Sequence, residues 1–283
     1  MILVTGASGT VGTALVEELK TGGHRFRAAY HSAHKAEKAR AEGHDVIALE
    51  FSEPKTLPPA LAGVDTVFLL GAGARGQAER EINVLNAAKA AGVKRMVKHS
   101  IWGAADERFS LAKIHREVER AVEASGIAWT FLRPNGFMQN FVHEAATIKS
   151  KGAIYQPAAD AKISHIDVRD IARVAARVLT TRGHEGKAYE LSGPEALSYD
   201  DAANALSRVL GRQIRYVPLS DEDAKTGMLS AGVPGFYADH LLDLFRVYRS
   251  GVASRVTPAV EDITGRDPIA FEQFVRDYIR AFG

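Results

Sequence analysis

A doubly wound parallel α/β sheet followed by a smaller, mainly helical C-terminal lobe is the fold class this sequence predicts, and three observations predict it. The chain opens on an apolar run, a glycine-spaced turn and an apolar stripe at helical spacing: Ile2-Leu3-Val4, then Gly6, Gly9 and Gly12, with Val11, Leu15 and Leu19 overlapping. Strand-like and helix-like segments then alternate as far as Pro134, as a series of βαβ units requires. After Arg133-Pro134 the alternation stops, and helical stripes with short extended pieces take over.

The opening stretch carries the first chemical signal. A strand, a glycine-rich turn and a helix in that order build a phosphate site of the Rossmann type. Glycines let the backbone turn sharply and let a pyrophosphate come close, and the first free amides of the helix, at its positive dipole end, face the anion. Gly6, Ser8, Gly9, Thr10, Val11 and Gly12 are the candidate contacts, and Gly22-Gly23 ends the helix. The second strand, residues 25–30, ends at Tyr30-His31, the place where a dinucleotide fold meets the adenosine ribose, ~20 residues past the glycines. An acidic residue there would hold both ribose hydroxyls and repel a 2′-phosphate. The sequence instead reads Tyr30-His31-Ser32-Ala33-His34-Lys35. Histidine and lysine suit a phosphate, so NADP is favoured, with NAD as the alternative. Lys35 and Lys38 read equally as the solvated face of the next helix.

The third strand, 45–49, leads into Glu50-Phe51, and Phe51 suits either an adenine neighbour or the core. Ser52-Glu53-Pro54 opens a short helix that Gly63 closes. Residues 64–70 form a nearly unbroken apolar strand, as a central parallel strand must. Gly71-Ala72-Gly73 then lets backbone lie against a cofactor, which makes Leu70, Gly71 and Ala72 candidate contacts. A helix over 77–91 precedes the strand 95–99, with His99 and Ser100 at its carboxyl end and Trp102 beyond. A helix over 111–125, capped by Gly126, leads to the strand 129–133 and Pro134. In such sheets ligands lie outside the carboxyl ends of the strands.

Beyond Pro134, Phe137, Phe141 and Ala145 mark a helix face, 163–166 a short strand, 168–179 an amphipathic helix and 189–191 another strand. Ser198-Tyr-Asp-Asp201 fits a capping box opening a helix to Leu210, and 214–217 is extended. Phe271, Phe274, Val275, Tyr278, Ile279 and Phe282 form one helical stripe, read as core. The expected organisation is a dinucleotide-binding core over 1–133, to which 152–192 partly returns, and a substrate or cap lobe over 134–151 and 193–283, within one compact unit.

Composition narrows the function classes. The 283 residues are 46% hydrophobic and 25% charged, as in ordinary globular chains. A net charge of +2 gives no electrostatic case for direct nucleic-acid binding. With no cysteine there are no disulfides, thiolate metal sites or thiol redox chemistry, which fits a reducing cytoplasm. A strand beginning at Ile2 leaves no room for a signal peptide, and no apolar stretch approaches the ~18–20 residues of a membrane span. A cytoplasmic monomer or homodimer is expected. His143-Glu144 lacks the second histidine of a zinc-protease motif, and neither a GxSxG elbow nor a P-loop is present. His115 and Glu119 share a helix face, but two ligands do not make a metal site, so no metal is expected.

Several stretches together resemble the NmrA-like, atypical short-chain dehydrogenase/reductases. They are Thr5-Gly-Ala-Ser-Gly-Thr-Val-Gly12, Val93-Lys-Arg-Met-Val-Lys-His-Ser100, Ser125-Gly-Ile-Ala-Trp-Thr-Phe-Leu-Arg-Pro-Asn-Gly-Phe-Met-Gln-Asn140, His165-Ile-Asp-Val-Arg-Asp-Ile-Ala172, Leu191-Ser-Gly-Pro-Glu-Ala-Leu-Ser198, and Thr264-Gly-Arg-Asp-Pro268 with Phe271-Glu-Gln-Phe-Val-Arg-Asp277. The resemblance covers essentially the whole chain. It implies either an NADPH-dependent reductase of quinones, azo dyes or triphenylmethane dyes, or a cofactor-sensing regulator without catalysis. Ordinary members of the superfamily use a Tyr-x-x-x-Lys dyad. Anchoring on Glu119 and Arg133-Pro134 puts Leu111 at the tyrosine position and His115 at the lysine position, so the tyrosine is absent.

That absence shapes the expected chemistry. A missing general acid costs ~10²–10⁴ in rate where one is needed. Reducing an ordinary ketone makes a localised alkoxide that needs the proton; reducing a quinone makes a delocalised phenolate that needs it far less. The expected function is therefore NAD(P)H-dependent hydride transfer to a small conjugated or aromatic acceptor, with His115 as the catalytic candidate, supplying a proton or binding ribose or nicotinamide. Trp102, Phe137, Met138 and Phe141 suit a flat ring or the core, and Asn135 and Asn140 could orient a polar edge or cap a helix. Pro134 joins the cofactor candidates. The rival class is a non-catalytic NADP(H)-sensing protein. An isomerase or epimerase relies on the missing tyrosine and ranks third.

Overall fold

The computed structural model describes every residue except Glu42, Ala72 and Ala74, so the expectation for Ala72 lies outside the described residues. Nine strands are described: β1 Ile2–Val4, β2 Phe26–Tyr30, β3 Val46–Ala48, β4 Thr66–Leu69, β5 Arg95–His99, β6 Ala128–Pro134, β7 Ala153–Gln156, β8 Lys187–Leu191 and β9 Arg215–Pro218. The α-helices are α1 Thr10–Thr21, α2 Ala33–Ala41, α3 Leu57–Leu61, α4 Gln77–Ala90, α5 Ser110–Ala124, α6 Ala145–Lys151, α7 Val168–Thr180, α8 Tyr199–Leu210, α9 Asp221–Ser230, α10 Gly235–Arg249, α11 Ala259–Thr264, α12 Phe271–Asp277 and α13 Ile279–Phe282. The chain divides into two compact units, one of residues 1–105, 112–133 and 171–189, the other of 106–111, 134–170 and 190–283.

The first unit is built on the sheet β3-β2-β1-β4-β5-β6-β8. β1 pairs in parallel with both β2 and β4, β2 with β3, β4 with β5 and β5 with β6. The chain thus winds outward from β1 to β3, returns to the other side of β1 and winds out again. The order reverses between β1 and β4, and ligands of open α/β sheets lie off the carboxyl ends at that switch point. The glycine loop follows β1 and Leu70-Gly71 follows β4, so both candidate segments flank it. Thr5 fastens the two strand ends: its hydroxyl accepts from Leu70 N at 2.8 Å and lies 2.9 Å from Phe68 O. Leu3, Val67, Leu69, Met96 and Phe131 from the sheet close over Leu57, Leu61, Val84, Leu85, Val118 and Val122 in one apolar core. Burying a side chain of this size contributes ~1.5–3 kcal/mol, which makes two-sided burial of the central strands the main source of the unit's stability.

The second unit differs from expectation in several places. Residues 163–166 are not a strand: Ile163 and Ile166 each make one isolated bridge, to Leu197 and Phe137. The segment carrying Phe137 and Phe141 is a 3₁₀ helix over Met138–Glu144, and the α-helix starts only at Ala145. The C-terminal aromatic stripe is broken at Tyr278 into α12 and α13, so Phe271, Phe274, Val275 and Phe282 are buried while Ile279 is 44% exposed. The capping box at Ser198 forms as expected, its hydroxyl accepting from Asp201 N and the Asp201 carboxylate accepting from Ser198 N. β7 pairs in parallel with β9 as a two-stranded sheet that has no counterpart in the sequence expectation.

Candidate active site

Each glycine of the opening loop has its own physical reason. Gly6 sits at φ +64°, a region L side chains rarely adopt, and a Cβ there would lie 2.9 Å from Leu70 O. A Cβ on Gly12 would stand 2.0 Å from Gly6 O, so α1 can seat against the loop only without one. Gly9 is the N-cap of α1 and offers no capping side chain. Ser8, Gly9 and Thr10 are exposed while Val11 and Gly12 are buried. The first amides of α1 therefore have no intrahelical acceptor, and the loop residues leading into them are exposed. These features fit a dinucleotide pyrophosphate.

The corner beyond β2, where a ribose is expected, holds an acid that sequence position alone did not reveal. His31, on the surface beyond β2, pairs through Nε2 with Glu50 Oε2 at 2.5 Å. Hydrogen bonds from the Ser52 amide and hydroxyl, with His31 adding to them, hold the Glu50 carboxyl below its usual value. A carboxylate absent from β2 thus arrives from the end of β3. Tyr30 is half-buried, and Phe51 packs half-buried on the apolar core while its carbonyl accepts from Asn83.

Two charged networks occupy the carboxyl ends of β4, β5 and β6. In the first, Glu119 on α5 is fully buried. It accepts from Ser100 Oγ at 2.7 Å, from Arg133 Nε and NH2 at 2.9 and 2.7 Å, and from Arg116 NH1 at 3.2 Å. Burial raises its carboxyl pKa, but the arginine and serine bonds outweigh burial and hold it below the usual range. The Ser100 hydroxyl is committed to this cluster.

The second network surrounds His115. Lys98, wholly buried in β5, ion-pairs with Glu81 Oε2 at 2.8 Å, donates to the His99 carbonyl and reaches His115 Nδ1 at 3.2 Å. Gln77 donates to Glu81 Oε1 at 2.9 Å, and the same amide nitrogen lies 3.4 Å from His115 Nε2. Burial, then the charge of Lys98, then His99, hold the His115 pKa well below its ordinary value. Burial and Lys98 put His99 at about 3. His115 is therefore a neutral imidazole near neutral pH, with one ring N–H and one acceptor nitrogen. The space at Gly71 is taken by this network: a Cβ there would meet Glu81 Oε1 at 2.6 Å. Gln77, Glu81 and Lys98 escaped the sequence reading; a lysine inside an apolar strand, answered by a glutamate in the preceding helix, was the signal.

The remaining candidates scatter by environment. Trp102 is 8% exposed in the first unit. In the second, Pro134 is buried, and Asn135 is 3% exposed with its amide committed: Nδ2 donates to Ser164 Oγ at 2.9 Å and Ala253 O at 2.8 Å, and Oδ1 accepts from Gly136 N. Met138 and Phe141 are core, Phe141 packing against His165, Tyr199 and Phe271. Phe137 is half-buried and Asn140 exposed, which leaves these two as the accessible members of the group. Leu111, at the tyrosine position, is buried. A surface hollow lined by His24, Arg25, Arg27, Asp65 and Thr180 lies at the amino ends of the strands, away from this chemistry. Among the described residues, no cluster of three or more His, Asp or Glu could hold a metal ion, and no helix is long and apolar enough to cross a membrane.

Comparison with known proteins follows the same lines. The chain is 39% identical over 284 residues to an NAD(P)H azoreductase of Xenophilus azovorans, covering 100% of this chain and 99% of that one. Its structure is similar to an NADPH-dependent quinone oxidoreductase of Escherichia coli complexed with NADPH, with TM-score 0.90 and 30% identity over 99% of this chain and 100% of that one. It is also similar to Citrobacter sp. triphenylmethane reductase complexed with NADP(H), with TM-score 0.87 and 27% identity over 98% and 99% of the two chains. The model of the NmrA-like family matches residues 1–266, and the chain belongs to that family.

Proposed function

We propose that this chain is an NAD(P)H-dependent oxidoreductase that passes hydride to a small conjugated acceptor, a quinone or a dye. The observation that carries the reading is the opening loop: two glycines at which a Cβ would press on backbone, ending at a helix start with no side-chain cap. Gly6, Ser8, Gly9, Thr10, Val11 and Gly12 would hold the pyrophosphate, Tyr30 and His31 the adenosine ribose, and Leu70, Gly71, His99 and Ser100 line the strand ends toward the reactive ring. Reduced nicotinamide, when bound, supplies the hydride. His115 would offer a neutral N–H to the bound ligand, and Phe137 and Asn140 are the second unit's accessible candidates for acceptor contact. A conjugated acceptor fits because the chain has leucine where the superfamily's proton-donating tyrosine stands. The named azo, quinone and dye reductases support the same class. A monomeric or homodimeric state, action in the cytoplasm and the absence of a nucleic-acid partner belong to the same proposal and rest on net charge and the lack of cysteine.

Calorimetry with NADPH and NADH, followed by NADPH oxidation with a simple benzoquinone and an azo dye, tests it. Micromolar binding and acceptor-dependent turnover are expected. In Gly9→Asp, bulk and like charge at the pyrophosphate abolish binding. Tight binding with no turnover on any conjugated acceptor would favour the cofactor-sensing alternative, and no binding of either coenzyme would end both readings.

A further inference from the structure

Both ring nitrogens of His115 face hydrogen-bond donors, and a neutral imidazole accepts at only one of them. Lys98 Nζ stands 3.2 Å from Nδ1 and Gln77 Nε2 stands 3.4 Å from Nε2. Turning the Gln77 amide over gives no relief, because its oxygen would then sit 2.9 Å from Glu81 Oε1, acceptor against acceptor. The shorter, charge-assisted bond from Lys98 prevails. Nδ1 then accepts, and the hydrogen sits on Nε2, opposite a group that cannot receive it.

We propose that Lys98 is a positioning residue: anchored by Glu81 and the His99 carbonyl, its ammonium fixes His115 as the Nε2–H tautomer and presents that N–H to an oxygen of the bound ligand. The inference rests on the reductase reading for its consequence in turnover, but not for the tautomer itself. Every charged or titratable group facing the ring fits. Lys98 and His99 approach from β5 and Glu81 from α4, with Glu81 already paired to Lys98. On α5 itself, Glu119 is turned to Ser100, Arg133 and Arg116. His115 thus resembles a fixed electrophilic donor more than a general acid, a role in which the bond to its other ring nitrogen selects the tautomer.

Nitrogen-15 NMR of the histidine rings tests this, with His115→Gln identifying the resonance. In the wild-type protein one acceptor-type and one N–H-type nitrogen are expected, the N–H at Nε2, unchanged from about pH 5.5 to 8.5 around the ordinary histidine value of ~6.5. A slowly exchanging Lys98 ammonium with a cross-peak to the ring is expected beside it. In Lys98→Met/Glu81→Gln, which replaces a buried ion pair by neutral groups, a change that is often tolerated, the tautomers mix and the ring titrates closer to ~6.5. Quinone-dependent kcat then falls on the order of 10²-fold while the Kd for NADPH holds. A wild-type ring protonated at Nδ1, no Lys98 cross-peak, or an unaltered tautomer in the double variant each overturns the proposal. Wild-type protein that turns over no acceptor, yet shows the Nε2–H ring and the cross-peak, sinks the reductase reading alone.

Discussion

Glu81 and Glu119 are both wholly buried carboxylates facing neighbouring strand ends, yet one closes its network and the other leaves it open. Glu119 meets two arginines and a serine, and each of its oxygens is engaged. Both of its oxygens are answered within the protein, so the cluster locks α5 to the ends of β5 and β6. Glu81 meets one lysine and one amide, and that lysine passes its remaining N–H to a histidine whose far nitrogen confronts another donor. The difference teaches that a buried charge fully answered is scaffold, whereas a buried charge whose chain of donors ends on an unmatched N–H marks a place for chemistry.

Four experiments can break or sharpen that contrast. The largest effect is expected from Glu119→Gln, which leaves the partly buried Arg133 without its carboxylate while Arg116 keeps Glu123, and should lower unfolding free energy in urea by about 3–5 kcal/mol; a change near zero would deny the cluster its scaffold role. Next, His115→Ala should lower kcat by on the order of 10²-fold, as removal of one fixed donor does elsewhere, with stability nearly unchanged; the reverse pattern would make His115 scaffold too. Third is an acid-stability experiment on Glu119. Its folded carboxyl pKa is lowered, so its contribution is fully present above the unfolded value of about 4.5 and fades as pH falls through the lower folded value. Urea midpoints of wild type should drop below about pH 4.5, and Glu119→Gln should lose part of that slope. Activity, by contrast, should show no step at the ordinary histidine pKa of ~6.5.

The smallest stability effect belongs to the exposed counterpart, His31 with Glu50. A surface pair contributes ~0–1 kcal/mol, so His31→Asp should barely move stability. It should lower the NADPH-to-NADH ratio of kcat/KM by bringing a second carboxylate toward the 2′-phosphate. An unchanged ratio would remove His31 from the ribose corner.

The fold was legible wherever one local signal sufficed. The limits of β5, the winding of the sheet, the glycine loop and the Ser198 capping box each follow from a run, a spacing or a cap. What stayed hidden depends on partners distant in sequence. β7 is four residues long and exists only by pairing with β9, some sixty residues on. α9 passed unread although Ser220 followed by Asp221-Glu222-Asp223 is an N-terminal signature. At the site, His115 was legible as a position in a family pattern, but its charge state was not. That depends on Lys98, which looks in sequence like an outward-facing strand residue and in the fold is sealed from water.

Gly71 has a consequence of its own. Its bare backbone leaves just enough room for the Glu81 carboxylate. One added methyl would lever that carboxylate away from the ammonium and, through it, detune a ring more than forty residues along the chain. Gly71→Ala is therefore a remote control on the imidazole, and a change at this loop should register in the His115 spectrum.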